Sequence, residues 1–243
     1  MRLYSFTKRC AKEILRDPLN LLFGIGFPVV LLLLLSAIQR NVPVALFEIE
    51  SLAPGIAVFG LSFMTLFSAS LIARDRESAL LQRLYTTPLK SVDFILGYMI
   101  PIIPISLAQS AVCYLLAVAL GLPFSVNIAI AILMMVPVSA FYVALGLLCG
   151  SIFNVKQVGG ICGALLTNLS AWLSGIWFDI ELVGDGFCRI ANMLPFIHAV
   201  EIERAVISAS YSQILPHLLP VLIYVAAVTV LAVFLFLRQM RNR

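Results

Sequence analysis

Polar and charged positions gather into short clusters along this chain. Between them run six stretches in which nearly every position is apolar, covering roughly residues 21–39, 54–73, 94–120, 126–153, 158–178 and 216–237. A helix needs about 20 apolar residues to cross a hydrocarbon core about 30 Å thick. The pattern therefore predicts an all-α integral membrane protein with six transmembrane helices in one transmembrane domain, residues 1–243. Pro28 lies in the first stretch, Pro101 and Pro104 in the third and Pro137 in the fourth. Each removes a backbone donor and predicts a bend.

The segments between the spans have patterns of their own. In residues 1–18, Leu3, Phe6, Cys10 and Ile14 recur at spacings of three and four, with basic residues on either side. That is the signature of an interfacial amphipathic helix, and Pro18 predicts its end. The other reading is a basic flank with no defined role. Residues 74–88 place Leu80, Leu81, Leu84 and Tyr85 on one helical face and Arg74, Asp75, Ser78, Gln82 and Arg83 on the rest. This predicts a short amphipathic helix that rests its leucines on the membrane domain and offers its charges to a partner. The alternative is a solvated extension of the second span. Residues 179–215 hold two apolar stretches, 187–194 and 196–207, separated by Pro195. Both are too short to cross and fit re-entrant or interfacial helices.

Charge then orients the chain. Of the 16 lysines and arginines, all except Arg40, Arg189 and Arg204 fall on one side of a six-span arrangement. The positive-inside rule places that side, with both termini, in the cytoplasm. An odd number of spans would mix the two groups. Residues 74–88 are then cytoplasmic and residues 179–215 external. Composition agrees: 62 % of residues are hydrophobic and 12 % charged, where soluble domains have about 25 % charged. Mean hydropathy is +1.06. The first apolar run exceeds the roughly 7–15 residues of a signal-peptide core, so it reads as a retained span.

Several chemistries find no support. None of the six cores holds Asp, Glu, Lys or Arg, and the two histidines, His198 and His217, lie in or next to the external segment, which disfavours a proton-coupled carrier or a charge-lined channel and leaves open a carrier using backbone carbonyls. H-E-x-x-H and G-x-S-x-G are missing, as is G-x-x-x-x-G-K-[ST], so no protease, hydrolase or P-loop nucleotide site is expected. Glu201 and Glu203, with Arg204 and His198, read as solvated loop charges rather than an acid/base site. The five cysteines, Cys10, Cys113, Cys149, Cys162 and Cys188, form no C-x-x-C pair, so neither a structural metal site nor a disulfide framework is implied. No basic stretch interleaved with aromatics suggests nucleic acid.

Two sets of residues inside the spans are candidates for function. Gly159, Gly163, Thr167 and Ala171 repeat every four residues in the fifth stretch, with Gly160 and Ala164 beside them. Such a stripe lets helices approach closely, at a subunit interface or within one chain. Phe59, Phe63 and Phe67 on the second span, with Asn168 and Trp172 on the fifth, are candidates to line a path for an apolar or amphipathic substrate. Ordinary packing is the competing reading, though a buried Asn168 would need a partner.

In order and spacing, these parts resemble the membrane subunit of an ATP-binding-cassette exporter of the type-2 permease family. Arg16-Asp17-Pro18 followed by a first span containing Pro28 is similar to that family's beginning. Residues 74–89, with Glu77, Leu80, Leu84, Thr87, Pro88 and Leu89, resemble its coupling segment. Ser174-Gly175, then Asn192, Pro195, Glu201 and Arg204, resemble the region before its last span. Departures occur at Ala79, where the family often has glycine, and at Trp177-Phe178-Asp179, where it often has proline. The resemblance implies a non-catalytic permease subunit in the bacterial plasma membrane, paired with a second permease copy or homologue. It implies a separate cytoplasmic P-loop ATPase that binds ATP and Mg, with no cofactor on this chain itself. It implies coupling through Glu77, Leu80, Leu81, Arg83, Leu84 and Tyr85, and outward movement of a drug, lipid or peptide. An energy-independent carrier or channel, and a membrane-embedded enzyme, stand as the other readings.

Overall fold

The computed structural model of the chain describes residues 2–42, 47–78 and 91–241, and every regular element in them is helical. Helix α1 (Arg2–Leu15) stops before Pro18, whose ring starts α2 (Pro18–Leu21). A π-helical turn, Leu22–Gly26, leads into α3 (Phe27–Asn41) and then the long α4 (Ile49–Glu77). Helices α5 (Ser91–Met99) and α6 (Ile102–Ala119) are interrupted at Ile100 and Pro101, where the proline bend was expected. Helix α7 (Val126–Ile152) continues through Pro137. Next come α8 (Val155–Gly160), a second π-helical turn (Ile161–Leu166) and α9 (Thr167–Leu173) in one continuous run. Helices α10 (Asp185–Met193) and α11 (Pro195–Ile207) meet at an extended Leu194 and precede α12 (Ile214–Arg241).

Among the described residues, five helices are long and apolar enough to cross a membrane: Leu22–Asn41, Ile49–Glu77, Asp93–Ala119, Val126–Ile152 and Tyr211–Phe236. The run α8–α9, expected as a fifth span over residues 158–178, is not among them. It carries Lys156, Gln157 and Asn168 and ends at Leu173.

Helix α4 is the axis of the fold. Its apolar window is 89 % buried, against 17 % for the first membrane-length helix and 11 % for the last. That burial requires small residues on its neighbours. A Cβ added at Gly146 of α7 would lie 2.6 Å from the Thr65 carbonyl oxygen, and one at Gly150 would lie 2.7 Å from that of Ala69. The two glycines are four apart, so one edge of α7 seats against α4 over two turns. The close approach lets Thr65 Oγ1 donate to the Tyr142 carbonyl at 2.8 Å and Ser68 Oγ donate to that of Val143 at 3.3 Å. On another side of α4, Gly60 makes room for Gln109 of α6, whose Nε2 donates to the Ala57 carbonyl at 3.3 Å.

The small-residue stripe of α8–α9 does not do the same. Gly159, Gly160 and Ala164 are exposed and Gly163 is half-buried, whereas Thr167 and Ala171 are buried inside the chain. Steps of four residues drift by about 40° each around an α-helix, and the π-helical turn adds a further shift. The repeat therefore splits between an open face and an inner one.

Candidate functional site

The segment leading into residues 79–90 is anchored from four directions. Asp75, 2 % exposed near the end of α4, accepts hydrogen bonds from Nη1 and Nη2 of Arg9 on α1, at 2.5 and 2.6 Å. Tyr98 Oη of α5 donates to the same carboxylate at 2.8 Å. Arg9 also pairs with Glu13 one turn on, at 2.6 Å. Arg76 donates to the Gly150 carbonyl at the end of α7, at 2.6 Å. Glu77 Oε1 accepts the Val155 backbone N–H at 3.0 Å, placing a carboxylate on the N-terminus of α8, where the helix dipole favours it. Asn154 completes that terminus as an N-cap in a capping box with Gln157.

Packing explains why α1 reaches this junction. Phe6, Cys10 and Ile14 are all buried, so the apolar face read from the sequence is covered by protein. Phe6 sits edge-on to Phe94 and Tyr98, with ring centroids 5.6 and 5.0 Å apart, over a Gly97 that leaves space for it. The hydrogen bond to Asp75 holds Arg9 protonated well above its ordinary range. Burial pushes the Cys10 thiol up to about 12 and raises the Glu13 carboxyl. Cys10 is therefore an inert, neutral packing group.

The opposite end of the fold contains a group that the sequence did not flag. Glu203 of α11 is fully buried, and Tyr114 Oη of α6 donates to its Oε2 at 2.8 Å. Its Oε1 has no hydrogen-bond partner among the described residues. Burial pushes the Glu203 carboxyl up to about 8, so the neutral acid is its stable form over most of the ordinary pH range. Pro195 starts α11, and Phe196 packs edge-on to Phe141 at 5.7 Å; Ala199, Val200 and Ile202 line its buried face. Reading Glu203 as a loop charge missed this, because residues 196–207 are apolar enough to enter the core and carry the acid with them.

Its neighbours on the same helix face outward. Arg204 donates to Glu201 at 2.9 Å and to the Gly175 carbonyl at 3.0 Å, closing one wall of a cavity of about 500 Å³ that Phe47, Trp177 and Phe178 also line. Gly175 has φ +66°, which glycine adopts without strain. His198 Nδ1 lies 2.9 Å from His217 Nδ1, so one ring donates and the other accepts. His198 Nε2 lies 3.0 Å from the Asn192 carbonyl.

The expected site residues fall in separate places. Glu77 lies at the four-way junction, while Leu80, Leu81, Arg83, Leu84 and Tyr85 lie outside the described residues. Phe59, Phe63 and Phe67 are buried. Phe59 and Phe63 contact each other and Phe27 of α3, Phe59 also meets Trp177, and Phe67 lies against Gly24. Asn168 is exposed, its amide turned to the Ala164 carbonyl at 2.8 Å, and Trp172 is half exposed. The phenylalanines are packed inside the chain, whereas Asn168 and Trp172 are exposed. Among the described residues no group of three or more His, Cys, Asp or Glu could hold a metal ion.

Five membrane-length apolar helices, one of them the buried axis α4, define a multi-pass membrane protein. Residues 1–208 match the family model of the ABC-2 type transporter. The chain therefore belongs to the ABC-2 type transporter family, whose members are transmembrane transport components that work with ATP-binding-cassette partners. Among curated proteins no relative matches it.

Proposed function

We propose that the chain is the permease subunit of an ATP-driven exporter in a bacterial plasma membrane, moving a hydrophobic or amphipathic substrate outward. The observation that carries this reading is the junction at the end of α4. There Asp75, Arg76 and Glu77 tie the helix leading into the coupling segment to α1, α5, α7 and α8. A push on residues 79–90 by an ATPase would be delivered to all four at once. Differential contact with the ATPase in its two nucleotide states supplies the free energy for the shift.

In this reading the chain crosses six times, with α8–α9 as the short fifth crossing and both termini cytoplasmic. The charge asymmetry supports that arrangement. Helices α10 and α11 form the external closure. The exposed Gly159, Gly160 and Ala164 give a second permease copy a surface for close approach. ATP and Mg bind the partner ATPase.

Purification of the chain from its native membrane in mild detergent tests the reading. A P-loop ATPase should accompany it, and outward transport in inverted vesicles should require ATP. The pair Leu80→Asp and Leu84→Asp should abolish transport while the protein stays inserted. A chain that purifies alone and conducts substrate or ions without ATP overturns the proposal.

A further inference from the structure

One side of α1 carries cations that the fold leaves unneutralised. Lys8, Lys12 and Arg16 recur every four residues, and Tyr4 extends the line. Phe6, Cys10 and Ile14, on the other side, are buried against protein. Lys8, Lys12 and Arg16 are exposed, and no acidic side chain among the described residues pairs with them. Their neighbours are already engaged: Arg9 is held by Asp75 and Glu13, and Arg74 reaches Asp17 at 3.4 Å. The three cations line an open groove of about 920 Å³ with Tyr4, whose ring centroid lies 5.8 Å from Lys8 Nζ, and with Pro18 and Arg74; the two acids in its wall, Glu13 and Asp17, are those that Arg9 and Arg74 engage.

The position of the groove indicates its ligand. Pro18 begins the helix that runs into the first membrane-length segment, so the groove opens where the chain meets the membrane surface. Exposed apolar side chains flank the groove residues along the chain: Leu15 precedes Arg16, and Leu22 and Phe23 follow Pro18. A soluble acidic partner would satisfy the cations and leave those apolar side chains bare. A phospholipid satisfies both, because its phosphate is anionic and its acyl chains are apolar. We propose that this groove binds the phosphate-bearing headgroup of an anionic phospholipid, held by Lys8, Lys12 and Arg16. The topology proposed above assigns the lipid to the cytoplasmic leaflet, and binding itself does not depend on it. Because Arg9 lines the same groove, the lipid lies next to the Arg9–Asp75 pair.

The full chain in mild detergent is titrated with dioleoyl-phosphatidylglycerol, dioleoyl-phosphatidylcholine or inorganic phosphate, and bound species are counted by native mass spectrometry. The phosphatidylglycerol complex should form in preference to the phosphatidylcholine complex and weaken as salt rises. The variant K8Q/K12Q/R16Q should lose about a hundredfold in phosphatidylglycerol affinity, from roughly fivefold per cation. Arg238→Gln, which removes a cation outside the groove, should leave that affinity unchanged. Unaltered binding in a triple variant that elutes and melts like the parent overturns the proposal. Displacement of the lipid by millimolar inorganic phosphate would assign the groove to a free anion and overturn it as well. So would loss of lipid binding when a co-purified ATPase occupies α1. None of these readouts uses transport, so the inference can fail while the exporter reading stands.

Discussion

Arg9 and Asp75 are 66 residues apart in the chain, yet the guanidinium of one meets the carboxylate of the other through two hydrogen bonds at the end of α4. Asp75 is almost wholly buried, while the Arg9 side chain keeps 34 % of its surface. Tyr98 adds a third bond from α5, so three helices share one carboxylate.

The cost of breaking this pair falls mainly on the buried partner. Arg9→Ala should destabilise the chain by about 2–3 kcal/mol, below the ~3–5 of a fully buried pair because Arg9 is partly solvated. Asp75→Asn keeps an acceptor for Tyr98 and removes the uncompensated charge, so the double variant R9A/D75N should be more stable than R9A alone. Thermal melts of the four proteins form a double-mutant cycle. Strictly additive effects would show that the two residues are not coupled.

The two glycine sets separate packing within the chain from packing between chains. Gly146→Val and Gly150→Val each drive a side chain into α4 backbone lying 2.6–2.7 Å from the added Cβ. A loss of at least the ~1–3 kcal/mol typical of overpacking is expected, read as a lower melting temperature and loss of the monodisperse species. A Cβ at Gly159 or Gly160 meets nothing within 4 Å. Gly159→Val should leave the melting temperature of the single chain within about 1 °C and weaken only self-association, measured by chemical cross-linking in membranes.

Glu203 gives stability a dependence on pH. Its pKa is about 8 in the fold, against about 4.3 in an unfolded chain. Between those values the folded protein binds the additional proton, so stability is greatest below about pH 4 and falls as pH rises through 8. Glu203→Gln removes that slope. At pH 8.5 the variant should melt above the parent by at least about 2–4 °C, the shift that ~1 kcal/mol produces at this chain length. The two should converge near pH 5. Tyr114→Phe leaves Oε2 unpaired as well and should cost about 1–3 kcal/mol. Parallel pH profiles for parent and Gln variant would contradict a buried, protonated Glu203.

The helical layout was readable because its punctuation is local. Pro18, Pro101 and Pro195 each mark a helix boundary, and the four-residue spacing of Phe6, Cys10 and Ile14 picks out the face that α1 buries. The features that organise the two ends were not readable, because their partners are distant in sequence. Asp75 looks like one more solvated charge until Arg9 and Tyr98 close over it. Glu203 sits two residues from the outward Glu201, and only the packing of α11 against α4, α7 and α12 separates their environments. Gly146 and Gly150 are also four residues apart, as Gly159 and Gly163 are. What distinguishes them is the α4 surface opposite, with Thr65, Ser68 and Ala69, which no single-helix pattern reveals.

Glu77 distinguishes two ways of coupling. Its carboxylate caps α8 through the Val155 N–H, and it is also exposed at the edge of the segment proposed to meet the ATPase. If its role is to hold the junction, Glu77→Gln should support near-normal ATP-dependent transport, because the amide oxygen still accepts that N–H. Glu77→Arg should cut transport about tenfold or more, since it removes the acceptor and places a cation against the positive end of the helix dipole. Basal ATP hydrolysis by the partner should persist in both. If instead the negative charge itself attracts the ATPase, Glu77→Gln will fail along with Glu77→Arg, and both will release the ATPase as salt is raised. Transport and co-purification measured on the two variants side by side therefore decide whether Glu77 acts inside this chain or across the interface.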